Sequence, residues 1–208
     1  AENPGIAVTS GTGTATIDRI LPTLSSVTIS SNNATTASRA KVGNIVTVAF
    51  TTSETLSAAA VTFTTGGVDI DASRVTTSNS GNAWTSVYTT GNSDLDGDVA
   101  YRIAFTDNAG NTGIAVTGSG AIEFDKIAPT ISSVGILSNN SNTTLAKDGN
   151  EVTLSFVASE VLDANPTVVF LSGGASVQNS VSYATSDSGT TWTAKYTVDG
   201  SNDTAGLV

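Results

Sequence analysis

The sequence predicts an all-β chain of tandem β-sandwiches, about seven strands per repeat. Three observations carry this: apolar residues alternate with period two, the composition favours strands and turns, and the chain repeats itself at about half its length. Of 208 residues, 34 are Thr and 27 are Ser. Thr and Val favour strands, while Ser, Asn and the 20 Gly favour turns. Charged residues make up 12%, below the usual quarter, so the expected surface is hydroxylated rather than laced with ion pairs. The 38% apolar content falls in patterned runs, which argues against disorder.

The repeat sets the organisation. Ile17-Asp18-Arg19-Ile20-Leu21-Pro22-Thr23-Leu24-Ser25-Ser26-Val27 returns as Phe124-Asp125-Lys126-Ile127-Ala128-Pro129-Thr130-Ile131-Ser132-Ser133-Val134, an offset of 125 − 18 = 107. Lys41-Val42-Gly43-Asn44 returns as Lys147-Asp148-Gly149-Asn150, and Thr52-Ser53-Glu54 as Ala158-Ser159-Glu160, both at 106. Trp84-Thr85-Ser86-Val87-Tyr88 returns as Trp192-Thr193-Ala194-Lys195-Tyr196 at 108. Pro4 to Thr9 resembles Thr112 to Thr117, so residues 1–17 are expected to be the last strand of a preceding repeat. Residues 18–124 are then a complete sandwich. Residues 125–208 are a second one that stops as its sixth strand begins, since 208 − 108 = 100. Beginning at Ala1, the chain reads as a piece of something longer.

Within the complete unit each element is a strand. The expected spans are 24–31, 44–51, 60–65, 73–77, 83–90, 98–106 and 113–123. Val46, Val48 and Phe50 alternate with Ile45, Thr47 and Ala49; Val61 and Phe63 alternate with Thr62 and Thr64. Val99, Tyr101, Ile103 and Phe105 alternate with Ala100, Arg102 and Ala104. Such alternation turns one face to a core and one to water. Gly, Asn and Asp clusters separate the runs, and strands at this spacing in ~107 residues form a sandwich rather than one large barrel. Trp84, Tyr88, Trp192 and Tyr196 share the inward face and are expected to anchor the cores. Asn33, Asn139, Asn142 and Asn202 begin glycosylation sequons, read here as chance in Thr- and Asn-rich loops.

Composition also excludes. The chain has no Cys, His or Met. Disulfides, zinc sites built on Cys or His, thiol nucleophiles and imidazole catalysis are thereby ruled out. A formal net charge of −10 repels phosphate backbones and anionic membrane surfaces, so no nucleic-acid partner is expected. No apolar run approaches the ~18–20 residues of a membrane helix, and no membrane insertion is expected. No catalytic constellation is visible, so no enzymatic activity is expected.

Asp18, Pro22 and Thr23 at the junction, Thr52-Ser53-Glu54 after the second strand, and Asp107-Asn108-Ala109-Gly110-Asn111 after the sixth together resemble the bacterial immunoglobulin-like repeats found in tandem in very large surface adhesins. The resemblance implies a non-catalytic stalk module on the outside of a bacterium, its partners being neighbouring repeats and a glycan or protein receptor. A phage fibre or decoration protein, and an accessory domain of a secreted polysaccharide-degrading enzyme, are the alternatives. A strand exchanged between chains is a further one.

With an immunoglobulin-like strand order, the start of the first strand and the second–third and sixth–seventh strand loops share one pole. Asp18, Glu54 and Asp107 are then expected to converge there. Crowded carboxylates repel, and Ca²⁺, which takes six to eight oxygens, resolves the conflict. Asn108 and Asn111 are expected to add oxygens, and Gly110 to let the backbone turn. At the opposite pole Asp94, Asp96 and Asp98 are expected to face the next junction, where Asp125 and Glu160 lie, as further calcium ligands. The expected cofactor is structural calcium that rigidifies the junctions.

Overall fold

The protein is described by a computed structural model covering residues 16–201 and residue 203. The expectation for residues 1–17 falls almost entirely outside these. The chain divides between Lys126 and Ile127 into two units.

The first unit contains β1 (Leu24–Ser31), β2 (Arg39–Ala40), β3 (Ile45–Thr52), β4 (Leu56–Thr65), β5 (Val68–Asp69), β6 (Val75–Ser80), β7 (Ala83–Thr89), β8 (Gly97–Asp107), β9 (Val116–Gly118) and β10 (Glu123–Phe124). One sheet runs β1-β3-β7-β6. The other runs β2-β10-β8-β4-β5, with β9 also paired to β8. Lettered A to G along the chain, these are an A-B-E-D sheet and a sheet built on C, F and G. That is the arrangement of an immunoglobulin-like β-sandwich.

The alternation read from the sequence decides which side chains face in. Val46, Val48 and Phe50 of β3, Phe63 of β4, Tyr88 of β7 and Val99, Ile103 and Phe105 of β8 fill the core. Trp84 is half-buried and stacks on Phe50, ring centroids 6.1 Å apart. The last expected strand, 113–123, is broken into β9 and β10. Gly113 and Gly118 let this stretch pass close over β8. A Cβ on Gly113 would lie 2.1 Å from the Phe105 ring, and one on Gly118 2.6 Å from Tyr101. The third strand begins at Leu56 rather than 60, and the fourth spans Val75–Ser80 behind a short 3₁₀ turn capped by Asp71.

The second unit contains β11 (Ile131–Ser138), β12 (Glu151–Ala158), β13 (Leu171–Ser172), β14 (Ala175–Ser176), β15 (Ser182–Ser186) and β16 (Thr191–Thr197). Its sheet runs β11-β12-β16-β15, the same order as β1-β3-β7-β6. Trp192 is buried and donates Nε1–H to the Gly189 carbonyl at 2.9 Å.

The repeated motifs do the same work in both units. Lys41 N–H donates to Asn44 Oδ1 at 2.9 Å and Asn44 N–H to the Lys41 carbonyl at 3.0 Å. Lys147 and Asn150 repeat the pair, both at 2.9 Å. Gly43 and Gly149, at φ 87° and 78°, supply the left-handed step of that turn. Thr23 N–H donates to Ser53 Oγ at 3.0 Å while Ser53 N–H donates to the Thr23 carbonyl at 2.9 Å. Thr130 and Ser159 form the identical clasp, both bonds at 2.9 Å.

Gly113→Ala should therefore lower stability by about 1–3 kcal/mol through overpacking on Phe105. Gly135→Ala, with nothing within 4 Å of the added Cβ and no positive φ, should be close to neutral. Urea denaturation of both variants measures the difference.

Candidate metal centre

Three loops meet at the pole where the chain enters β1. Asp18 lies six residues before β1, half-buried, and its Oδ1 accepts from the Ile20 amide at 2.9 Å. The Thr23–Ser53 clasp ties that approach to the turn between β3 and β4, which carries Glu54. Thr52 Oγ1 donates to the Glu54 carbonyl at 2.6 Å and holds the turn from below. Asp107 ends β8 on its inward face and is 1% exposed. The carboxylate oxygens of Asp18, Glu54 and Asp107 lie within 4.8 Å of one another. Asp18 and Asp107 are 89 residues apart in sequence, yet the strand order brings them together, as the loop placement predicts.

Asp107 is the fixed member. Its Oδ1 accepts from the Ala109 and Asn111 amides, both at 2.8 Å, and its Oδ2 from Asn111 Nδ2 at 2.8 Å. Burial pushes its acidity down, but these donors outweigh burial and hold its pKa below the ordinary Asp range. Glu54 goes the other way. Desolvation, then the charges of Asp18 and Asp107, raise its pKa. Among the described residues no ion pair reaches any of the three. The pole thus holds three clustered acids, one strongly anchored and one electrostatically disfavoured.

Two expected ligands have other work. Asn111 Nδ2 donates to Asp107 Oδ2 and also faces the carbonyls of Asp18 and Ile20, at 3.4 and 3.3 Å. Surrounded by acceptors, the amide turns its NH₂ inward, so Asn111 positions the acids and is not an oxygen donor to the cluster. Asn108 Nδ2 donates to Thr55 Oγ1 at 3.2 Å and braces the rim.

The opposite pole corrects the reading more strongly. Asp94 is buried in the loop between β7 and β8, where both its oxygens accept from Arg74, Nη2 at 2.9 Å, and Oδ2 also accepts from the Gly91 amide at 2.8 Å. Burial would raise its pKa, but the guanidinium and the amide prevail and lower it. Asp96 Oδ1 accepts from the Lys126 amide at 2.8 Å. Asp98 is exposed on β8. Asp125 belongs to the first unit, its amide donating to the Ala40 carbonyl at 2.9 Å, and Glu160 belongs to the second. Among the described residues none of these five acids joins a group of three. The sequence reading missed Arg74, which pairs with Asp94, and Lys126, whose ammonium donates to the carbonyls of Asn92 and Asp94. Arg74 lies twenty residues before Asp94, and no local spacing links the two.

No family model and no curated protein matches this chain. Among solved structures, titin domains z1z2 in complex with telethonin share 16% identity, cover 87% of this chain and 83% of their own, and superpose with a TM-score of 0.31. Titin Ig tandem domains A164-A165 share 12%, covering 85% and 80%, TM-score 0.28. A marsupial T cell receptor shares 14%, covering 90% of each chain, TM-score 0.33. The immunoglobulin-like assignment comes from the strand order itself.

Two outcomes follow from these charges. A Glu carboxylate with a raised pKa costs stability above that pKa, and the cost vanishes below the ordinary Glu value. Glu54→Gln should therefore raise the melting temperature in EDTA at pH 7 and make no difference near pH 3. Asp94 contributes in the opposite sense. Its stabilisation is full above the ordinary Asp value of about 4 and is lost as pH falls through its lower folded value. Asp94→Asn should cost about 2–3 kcal/mol at pH 7, read by urea denaturation, with the loss shrinking in acid.

Proposed function

We propose that the chain is a non-catalytic structural and adhesive module, part of an extracellular stalk of tandem immunoglobulin-like repeats on a bacterial surface. Calcium bound by Asp18, Glu54 and Asp107 stiffens the junction where the chain enters the first sandwich. The observation that carries the reading is the gathering of these three carboxylates within 4.8 Å at the pole where the chain enters.

The donor set fits a hard dication. All three groups offer carboxylate oxygen, the donor Ca²⁺ prefers, and the cluster holds no soft or imidazole ligand. Asp107 and Glu54 belong to the sandwich, whereas Asp18 belongs to the segment leading into it. An ion shared by all three therefore ties that segment to the sandwich. Without the ion, repulsion works on Asp18, the member on the chain leading in, and bending follows. Bound calcium supplies charge neutralisation and a fixed geometry. The residues of the chain supply the pre-formed pole, with Asn111 and the Thr23–Ser53 clasp holding it open to the ion. Three carboxylates at a loop pole suit affinities of about 10⁻⁴–10⁻³ M, the range of extracellular modules.

Calcium titration monitored by thermal melting tests this. At calcium a hundredfold above Kd, stabilisation is about 2.7 kcal/mol, which raises the melting temperature of the first unit by roughly 10 °C. Glu54→Gln should abolish most of that response, and small-angle scattering should report a more extended, less flexible chain with calcium. A melting temperature and scattering profile indifferent to calcium at about 10 mM would defeat the reading.

A further inference from the structure

The loop from Gly91 to Asp96, where the sequence reading places calcium, already faces a cation. Lys126 Nζ donates to the Asp94 carbonyl at 2.7 Å and to the Asn92 carbonyl at 3.3 Å, while the Lys126 amide donates to Asp96 Oδ1 at 2.8 Å. The loop is built for this. The Asp94 carboxylate is turned inward to Arg74 and Gly91, which leaves the carbonyls of residues 92 and 94 facing the segment that leaves β10. The Asp125 amide, bonded to the Ala40 carbonyl at 2.9 Å, secures the residue just before. Every one of these groups belongs to the first unit.

We propose that the Gly91–Asp96 loop is a receptor for an ammonium or guanidinium group carried by the chain leaving its own sandwich, and that Lys126 is the latch that fixes the direction of that exit without calcium. The repeat supports a requirement for positive charge rather than for lysine. Arg19 occupies the position 107 residues earlier, beside Asp18. It is exposed and has no ion-pair partner among the described residues. An ammonium on two carbonyls and a carboxylate on an amide are charge-assisted bonds, about twice as strong as neutral ones.

Hydrogen exchange on the full chain, in EDTA, tests the latch. Lys126→Met keeps the aliphatic stem and removes the donor. It should speed exchange about tenfold at the amides of residues 94, 125 and 126. Lys126→Arg should retain most of the protection. Glu54→Gln, which alters only the other pole, should leave these amides unchanged, so the latch and the calcium reading fail separately. Unchanged exchange in Lys126→Met, or new protection of residues 91–96 when calcium is added to the wild-type chain, would overturn the proposal. Circular dichroism confirms that each variant is folded. Should Lys126→Met unfold, Lys126→Leu, which likewise has no donor, gives the same comparison.

Discussion

Like charges must be forced together before an ion can hold them, and the pole around Asp18, Glu54 and Asp107 is arranged to do so. The force comes from hydrogen bonds and strand pairing, not from any attraction among the acids. β4 and β8 pair along their length, ending at Leu56 opposite Asp107, which brings the Glu54 turn beside the end of β8. The Thr23–Ser53 clasp brings in the incoming segment. Asn111 then donates to both the segment and Asp107. Each bond is modest, about 1 kcal/mol, but together they impose one geometry on three carboxylates that would otherwise separate.

The two poles solve the same problem with different chemistry. At one, acids meet without a cation among the described residues, and Glu54 bears the electrostatic consequence in its raised pKa. At the other, Arg74 pairs with the buried Asp94, and Lys126 covers the carbonyls of Asn92 and Asp94. Side-chain cations are permanent and need no supply from solution. A bound ion is conditional, set by its concentration.

The fold was legible because period two survives in most strands. In β3 the sequence alternates and so does the burial, from Val46 through Phe50. The last strand was not legible as two pieces. Its break depends on Gly113 and Gly118 passing beneath the rings of Phe105 and Tyr101, which are tertiary neighbours rather than sequence neighbours. The acid trio was legible because loop position follows from strand order. Asp94 was misread because three acids in five residues look solvated or metal-bound, while its burial depends on an arginine in a different strand connection. Asn111 was misread because an amide offers both oxygen and NH₂, and only the surrounding acceptors decide which end faces the site.

The two units show what local sequence encodes. β1 and β11 come from matched sequence and pair in the same way with β3 and β12, each with a register shift near its start. Val27 and Ile29 of β1 pack against a core completed by β4 and β8. Pairing and register thus recur with the strand, its turns and its clasp. The Thr130–Ser159 clasp recurs on matched sequence, so the device that ties the incoming segment to the turn after the second strand is carried by the local residues of each repeat.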